Sequence, residues 1–187
     1  MTVAVQARSP WTRRLLLGLN RAILAFARRW LAITNLLSLA LAGLPLLAAW
    51  LAAHGQTALA RPIYAGYAAI CTQIPSHSFY PWGVQMATCQ RETAIYASMV
   101  LAGLAFARLR ARLRPLGWRP FAALIAPLAI DGVTQWLGWR ESTPALRLLT
   151  GSLFGLACVW LLYPRLEAGM AEIVAIVEAR FRRLGLA

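Results

Sequence analysis

The stretch that most restricts how this chain can fold is residues 30–53, WLAITNLLSLALAGLPLLAAWLAA, where 24 consecutive residues carry no charged side chain. A helix needs about 20 apolar residues to cross the hydrocarbon core of a bilayer. Trp30 and Trp50 lie near the two ends of this stretch, as is typical at membrane–water interfaces. In the whole chain, 60% of the 187 residues are hydrophobic and the mean hydropathy is +0.59. We therefore expect an integral membrane protein.

Three further segments are candidates for membrane spans, namely residues 93–109, 121–138 and 146–163. The first of them is short, but it continues a helix that we expect to begin near Gly83. Residues 57–70 are too short to span and predict an interfacial or re-entrant helix on the outer side. The predicted fold class is all-α: a polytopic membrane protein with about four transmembrane helices, amphipathic N- and C-terminal helices and this short outer helix.

The two ends of the chain have amphipathic helical patterns. Arg14, Arg21 and Arg28 recur every seven residues and share one helix face, opposite a set of leucines. In the tail, apolar residues recur every three or four positions. The tail is either a second interfacial helix or a docking helix for a partner subunit of a membrane complex. The predicted domains are a basic N-terminal helix on the inner surface (1–29), a four-helix membrane domain (30–164) and an amphipathic C-terminal helix (165–187).

The arginines predict how the protein is oriented, since all 19 basic residues are arginine. Fifteen lie before the first span, between the second and third, or after the fourth, and the other side has four: Arg61, Arg91, Arg140 and Arg147. The positive-inside rule then predicts a multi-pass protein of a prokaryotic cytoplasmic (inner) membrane with both termini in the cytoplasm. The net charge of +13 predicts anionic lipid head groups as cytoplasmic partners. No nucleic-acid partner is predicted, because the arginines are not interleaved with aromatics on a polar face.

The segment 71–96, CTQIPSHSFYPWGVQMATCQRETAIY, gathers reactive side chains on the predicted outer side. It holds two of the three cysteines and one of the two histidines. On the helix expected there, Gln85, Cys89, Glu92 and Tyr96 recur at intervals of four, three and four residues. One helix face would therefore carry an amide, a thiol, a carboxylate and a phenol.

Cys71 and Cys89 are expected to face an oxidising compartment, which makes a disulfide between them the first interpretation. The alternatives are unlinked thiols with a redox or catalytic role, and a metal site that uses Cys71, His77, Cys89 and Glu92. The segment has neither a CxxC motif nor a close pair of histidines. No metal site is therefore predicted, and no cofactor can be named.

Asp131 places a carboxylate inside the third predicted span, with Gln135 one helical turn later on the same face. A charge at this depth costs about 2.5–3.5 kcal/mol on insertion scales, so it should face protein or water. Arg140 or Arg147 would neutralise it. The pair is either a structural ion pair or a site for a polar substrate or a proton. The candidate ligand-binding residues are Gln85, Cys89, Arg91, Glu92, Tyr96, Asp131, Gln135, Arg140 and Arg147.

Two motifs over residues 71–151 resemble a family of predicted bacterial and archaeal membrane proteins of unknown function. Its members have the patterns CHxxPxRSF, GxQxxxCxRCxGIY and DGxTQxxxxRxSxNxxRxxTG. The matching residues are Cys71, Pro75, Ser78, Phe79, Gly83, Gln85, Cys89, Arg91, Ile95, Tyr96, Asp131, Gly132, Thr134, Gln135, Arg140, Ser142, Arg147, Thr150 and Gly151. The departures from the patterns include Thr72, His77 and Glu92, where the family has histidine, arginine and cysteine. The resemblance implies a shared outward polar site.

The sequence thus predicts a membrane protein of unknown activity, an accessory or structural component with an outward-facing polar cluster. The alternative is a membrane-embedded enzyme or binder that takes an amphiphilic ligand, such as a lipid or isoprenoid head group, at the same cluster. A channel is disfavoured, because one acidic residue is a poor lining for a pore.

Overall fold

The computed structural model describes residues 9–184, and all regular elements in that range are helices. The helices are α1 (Pro10–Ala53), α2 (Thr57–Ala68), α3 (Gln90–Leu109), α4 (Trp118–Trp136) and α5 (Pro144–Arg183), with short 3₁₀ turns at Pro75–His77 and Pro81–Gly83. The prediction of an all-α polytopic membrane protein is confirmed. Parts of the predicted terminal regions, residues 1–8 and 185–187, lie outside the described residues.

Three of the helices, α1, α3 and α5, are long and apolar enough to cross a membrane. The helix α4 occupies the third predicted span, and its 19 residues reach roughly 28 Å at 1.5 Å per residue. It is not among those three, and it contains the polar residues Arg119, Asp131 and Gln135. The predicted outer helix is present as α2, which has 12 residues.

The predicted helix boundaries differ from the structure in two ways, the first of which concerns the two longest helices. Residues 10–53 form one helix of 44 residues, so the amphipathic N-terminal segment is not a separate helix. No glycine or proline interrupts residues 19–42, and the backbone therefore has no reason to end a helix near residue 29. The helix α5 likewise continues through the predicted boundary near residue 165.

The second difference is the start of α3, which is Gln90 and not a residue near Gly83. Trp82 has a positive φ of 55°, and Cys89 caps α3 in an extended conformation. Gln85 therefore lies in a loop, outside the helix face that carries Glu92 and Tyr96.

The described chain divides into two compact units, residues 9–33 with 166–184, and residues 34–165. In the first unit, Arg28 forms an ion pair of 2.8 Å with Glu178, and the Trp30 indole donates to Glu167 at 3.0 Å. The residues that become buried there include Ala27, Trp30, Val177 and Phe181.

In the unit 34–165, close helix packing brings together the beginnings of α3 and α5. Gly151 and Gly155 are four residues apart, and a Cβ at either would collide with α3, at the Arg91 carbonyl or at the Ser98 hydroxyl and the Ile95 carbonyl. Small residues at this spacing let two helices approach closely. The polar residues at the beginnings of α3 and α5 therefore lie close together. Asp131, near the end of α4, lies beside them.

Candidate functional site

Asp131 is the centre of an ion-pair network at one end of the unit 34–165. Its side chain is 1% exposed, although it lies on α4 among apolar residues. One carboxylate oxygen accepts hydrogen bonds from Arg91 and from the Ser142 hydroxyl, and the other accepts one from Arg140 at 2.7 Å. Two guanidinium groups thus neutralise one buried carboxylate, which joins α3, α4 and the segment after α4.

Two further amide contacts extend this network. Arg91 also donates to the side-chain oxygen of Gln135, one helical turn after Asp131. Arg147 on α5 does not contact Asp131: it donates to Gln90 at 3.2 Å and lies 3.7 Å from Glu141. Sequence analysis named Arg140 or Arg147 as the partner of Asp131, and the structure pairs it with Arg140 and with Arg91.

The loop between α2 and α3 is held by side-chain amides. The Gln85 amide donates to the carbonyl of Gln73 and to the hydroxyl of Ser78. The Gln73 amide donates to the carbonyls of Tyr64 and Ala87 at 2.9 and 3.0 Å. Gln85 was predicted as a candidate ligand residue on a helix face, and its contacts in the structure are with this loop.

Cys71 and Cys89 lie side by side as unbonded thiols. The Cys71 sulfur accepts the backbone N–H of Cys89 at 3.2 Å. The hydrogen bond from Cys71, helped by backbone N–H groups of Glu92 and Arg91, lowers the pKa of Cys89 to about 6, against the opposite effect of burial. The hydrogen bond to Cys89, followed by burial, raises the pKa of Cys71. The two cysteines of the predicted disulfide are therefore adjacent, and the disulfide itself stays a prediction.

A cleft of ≈ 450 Å³ opens beside the network. Its polar side chains come from the loop, from α3, from the end of α4 and from the beginning of α5, and its apolar side chains come from the loop, α3 and α4. Polar lining residues are Cys71, Thr72, His77, Cys89, Arg91, Glu92, Gln135 and Arg147; apolar ones are Ile70, Ile74, Ile95, Leu128 and Trp136. Five of the nine predicted ligand residues therefore line one cleft, and Asp131, which does not line it, contacts one of them, Arg91.

Of the other predicted residues, Tyr96 and Arg140 do not line the cleft. The Tyr96 ring packs against Tyr67, with ring centroids 6.5 Å apart, beside a core of Ala48, Tyr67 and Ala87. His77 lies next to Gln135 and Glu141 and is outside the group formed by Cys71, Cys89 and Glu92.

Sequence reasoning missed three residues that shape the site. Gln90 binds Arg147, Ser142 binds Asp131, and Gln73 joins the loop to α2. The sequence did mark Ser142, because this residue stands between Asp131 and Arg147 in the second family motif. No sequence pattern marks Gln73, because its role depends on a positive φ of 50°.

Comparisons with known proteins identify a family that the chain matches over the region of the site. Residues 71–161 match a family described as "Predicted membrane protein (DUF2085)". The uncharacterized protein MJ1492 of Methanocaldococcus jannaschii is 40% identical over 106 residues, which are 54% of this chain and 67% of that protein. No solved structure matches the chain. The ion-pair network and all cleft-lining residues except Ile70 fall within the matched region, and the chain belongs to the DUF2085 family of predicted membrane proteins.

Proposed function

We propose that this membrane protein binds an amphiphilic molecule, with the anionic head group in the cleft of the unit 34–165 and the apolar part toward the surrounding lipid. The observation that carries the proposal is a cleft of ≈ 450 Å³ whose lining combines the guanidinium groups of Arg91 and Arg147 with aliphatic and indole side chains. Ligand pockets of small molecules have volumes of about 300–1,000 Å³ and combine an apolar lining with few polar groups.

Two arginines in the cleft wall support an anionic ligand. The Nε atoms of Arg91 and Arg147 are buried and have no hydrogen-bond partner among the described residues. A buried donor without a partner costs about 1–3 kcal/mol. Guanidinium groups bind carboxylates and phosphates in a bidentate manner. A head group with phosphate or carboxylate oxygens would provide acceptors for these two arginines, and Asp131 would hold Arg91 in place.

The placement in the membrane that we propose has four passes. Trp136 and Trp139 are 84% and 74% exposed at the cleft end of α4, and Trp118 is 68% exposed at its other end. Exposed tryptophans at two levels about 30 Å apart suit the two interfaces of a bilayer, so α4 would cross it despite Asp131. The cleft would then lie at the level of the outer head groups.

The arginine distribution supports a cytoplasmic location for both termini in a prokaryotic inner membrane. Anionic lipid head groups would contact the N-terminal segment. In α1 the side chains of Trp11, Leu15 and Leu19 form an exposed apolar stripe, and exposed Arg14 and Arg21 lie beside it. This pairing of an apolar stripe with basic residues is typical of helices that bind anionic membrane surfaces.

Filling the cleft tests ligand binding. Gly132 lines it, and a Cβ at this position would meet only Arg91 Nη1, at 3.8 Å. Gly132→Leu should therefore fold and project into the cleft. Gly66→Leu is the matched control, since Gly66 is a helical glycine with no atom within 4 Å of an added Cβ and lies outside the cleft.

The measurement is the amount of lipid or other amphiphile that co-purifies with the full-length protein in mild detergent, determined by native mass spectrometry and by extraction. We expect wild type and Gly66→Leu to carry one amphiphile per chain, and Gly132→Leu to lose it by at least about tenfold, or about 1.4 kcal/mol. The proposal fails if wild type carries none, or if Gly132→Leu retains as much while unfolding at the wild-type temperature.

A further inference from the structure

Three ligand-type side chains meet on the wall of the cleft. The sulfurs of Cys71 and Cys89 and a carboxylate oxygen of Glu92 all lie within 4.8 Å of one another. The ligand atoms of a tetrahedral zinc site, with Zn–S distances of about 2.3 Å, are roughly 3.8 Å apart. The three side chains therefore have nearly the spacing of metal ligands and need only small rotations to reach it.

The local backbone already fits a thiolate at Cys71. Its sulfur accepts the backbone N–H of Cys89 at 3.2 Å and that of Gln73 at 3.4 Å. A neutral thiol is a weak acceptor, whereas a metal-bound thiolate is a strong one that is commonly oriented by such outer hydrogen bonds. Gln73 presents its N–H only because it has a positive φ of 50°, which two hydrogen bonds of its amide hold in place.

Glu92 contributes an independent observation. Its Oε2 atom is buried and has no hydrogen-bond partner in the part of the chain that the structure describes. A buried polar atom of this kind requires an explanation, and an incoming cation is one that also accounts for the two adjacent sulfurs. A disulfide between Cys71 and Cys89 would leave this oxygen without a partner.

We propose that Cys71, Cys89 and Glu92 bind one Zn²⁺ ion through two thiolates and one carboxylate, with a fourth coordination position that faces the cleft. Two sulfurs and one oxygen are a ligand set that suits Zn²⁺ rather than Mg²⁺ or Ca²⁺. All three residues line the cleft, so the position they leave open is accessible to a molecule bound there. The site does not rest on amphiphile binding, since its ligands come from this chain alone.

The probe for this site is Co²⁺, which replaces Zn²⁺ and is visible by absorption. Full-length protein in mild detergent is reduced, stripped of metal with a chelator and titrated with Co²⁺. We expect one Co²⁺ per chain, a thiolate-to-cobalt charge-transfer band, intense visible bands of tetrahedral cobalt, and loss of both on addition of Zn²⁺. Cys89→Ser should weaken the charge-transfer band, and Glu92→Gln should lower the affinity at least on the order of tenfold.

Cys158→Ser is the matched control, because this cysteine lies on α5 outside the three-residue group and should bind Co²⁺ as wild type does. Native mass spectrometry and X-ray absorption of the wild-type protein as isolated need no variant, and they should report bound zinc with two sulfurs at about 2.3 Å. The proposal is overturned if reduced wild type gives no charge-transfer band, if the band is unchanged in Cys89→Ser, or if the isolated protein holds an oxidised thiol pair and no zinc.

Discussion

At the scale of single residues, Asp131 shows how a charge is kept inside an apolar helix. Its carboxylate is buried, and Arg91, Arg140 and Ser142 supply its hydrogen bonds. Removing one partner of a buried ion pair leaves the other charge without compensation and typically costs about 3–5 kcal/mol. This network therefore contributes more to stability than its single acidic residue would suggest.

We expect Asp131→Asn to lower the free energy of unfolding by about 3 kcal/mol, because Arg91 and Arg140 both lose their counter-charge. Arg140→Gln should cost less, since Arg140 is 39% exposed and Arg91 still neutralises the carboxylate. The double variant should be more stable than the sum of the single losses predicts, as for any directly coupled pair. Unfolding in mixed detergent, followed by tryptophan fluorescence, measures these values.

Glu141→Gln is the control for this cycle, since Glu141 is 84% exposed and its ion pairs are long, so the expected change is within about 0.5 kcal/mol. An Asp131→Asn variant as stable as this control, or a cycle in which the single effects add, would contradict the account of the network.

Features of the site that lie within one helix could be predicted from the sequence, whereas contacts between different helices could not. The role of Asp131 as a buried acid followed from its position in an apolar span, and Gln135 followed from helical spacing. The contact of Arg91 with Asp131 did not, because it depends on the rotation of α3 against α4. The apolar side of the cleft, with Ile74 and Leu128, was missed for the same reason: it forms only after the helices pack.

At the scale of elements, the start of α3 determines where the cleft residues lie. The pattern from Gln85 to Tyr96 has helical spacing, yet the helix begins at Gln90. The spacing alone cannot exclude the turn at Trp82, since nothing in a single sequence requires a positive φ at a tryptophan. In contrast, the close approach of α3 and α5 coincides with a pattern that is visible in the sequence, the small-xxx-small pair Gly151 and Gly155, because the absence of a side chain acts directly on the packing distance.

We expect Gly151→Ala to destabilise the protein by about 1–3 kcal/mol, because its methyl group would overlap the carbonyl oxygen of Arg91 and push α3 away from α5. Gly169→Ala, in the same helix but with no atom within 4 Å of the added Cβ, should be neutral or stabilising by up to about 1 kcal/mol. Thermal unfolding of both variants in the same detergent compares them. Equal unfolding temperatures would mean that α3 and α5 do not approach at this glycine.

At the scale of the whole molecule, composition and helix length were sufficient for the fold class, because an apolar run of 24 residues has few alternatives to a membrane helix. The extent of α1 and α5 beyond the bilayer thickness was not predicted. Helices of 44 and 40 residues reach roughly 66 and 60 Å, about twice the hydrocarbon core. In α1 no glycine or proline stands near residue 29, where the amphipathic end meets the apolar centre, and in α5 the helix continues through Pro164 at the corresponding junction.

The proposed four-pass topology makes a prediction about the two ends of α4. In the full-length chain, Arg112→Cys lies in the arginine-rich segment before α4, and Trp139→Cys lies just after it; both positions are exposed. If α4 crosses the membrane with the arginine-rich segment in the cytoplasm, a membrane-impermeant maleimide should label the residue-139 variant in intact cells. It should label the residue-112 variant only after the membrane is permeabilised.

Unsubstituted protein is the control for the native cysteines. Labelling of both variants from the same side would show that α4 does not cross, while the opposite pattern would reverse the orientation and place the cleft and its arginines in the cytoplasm.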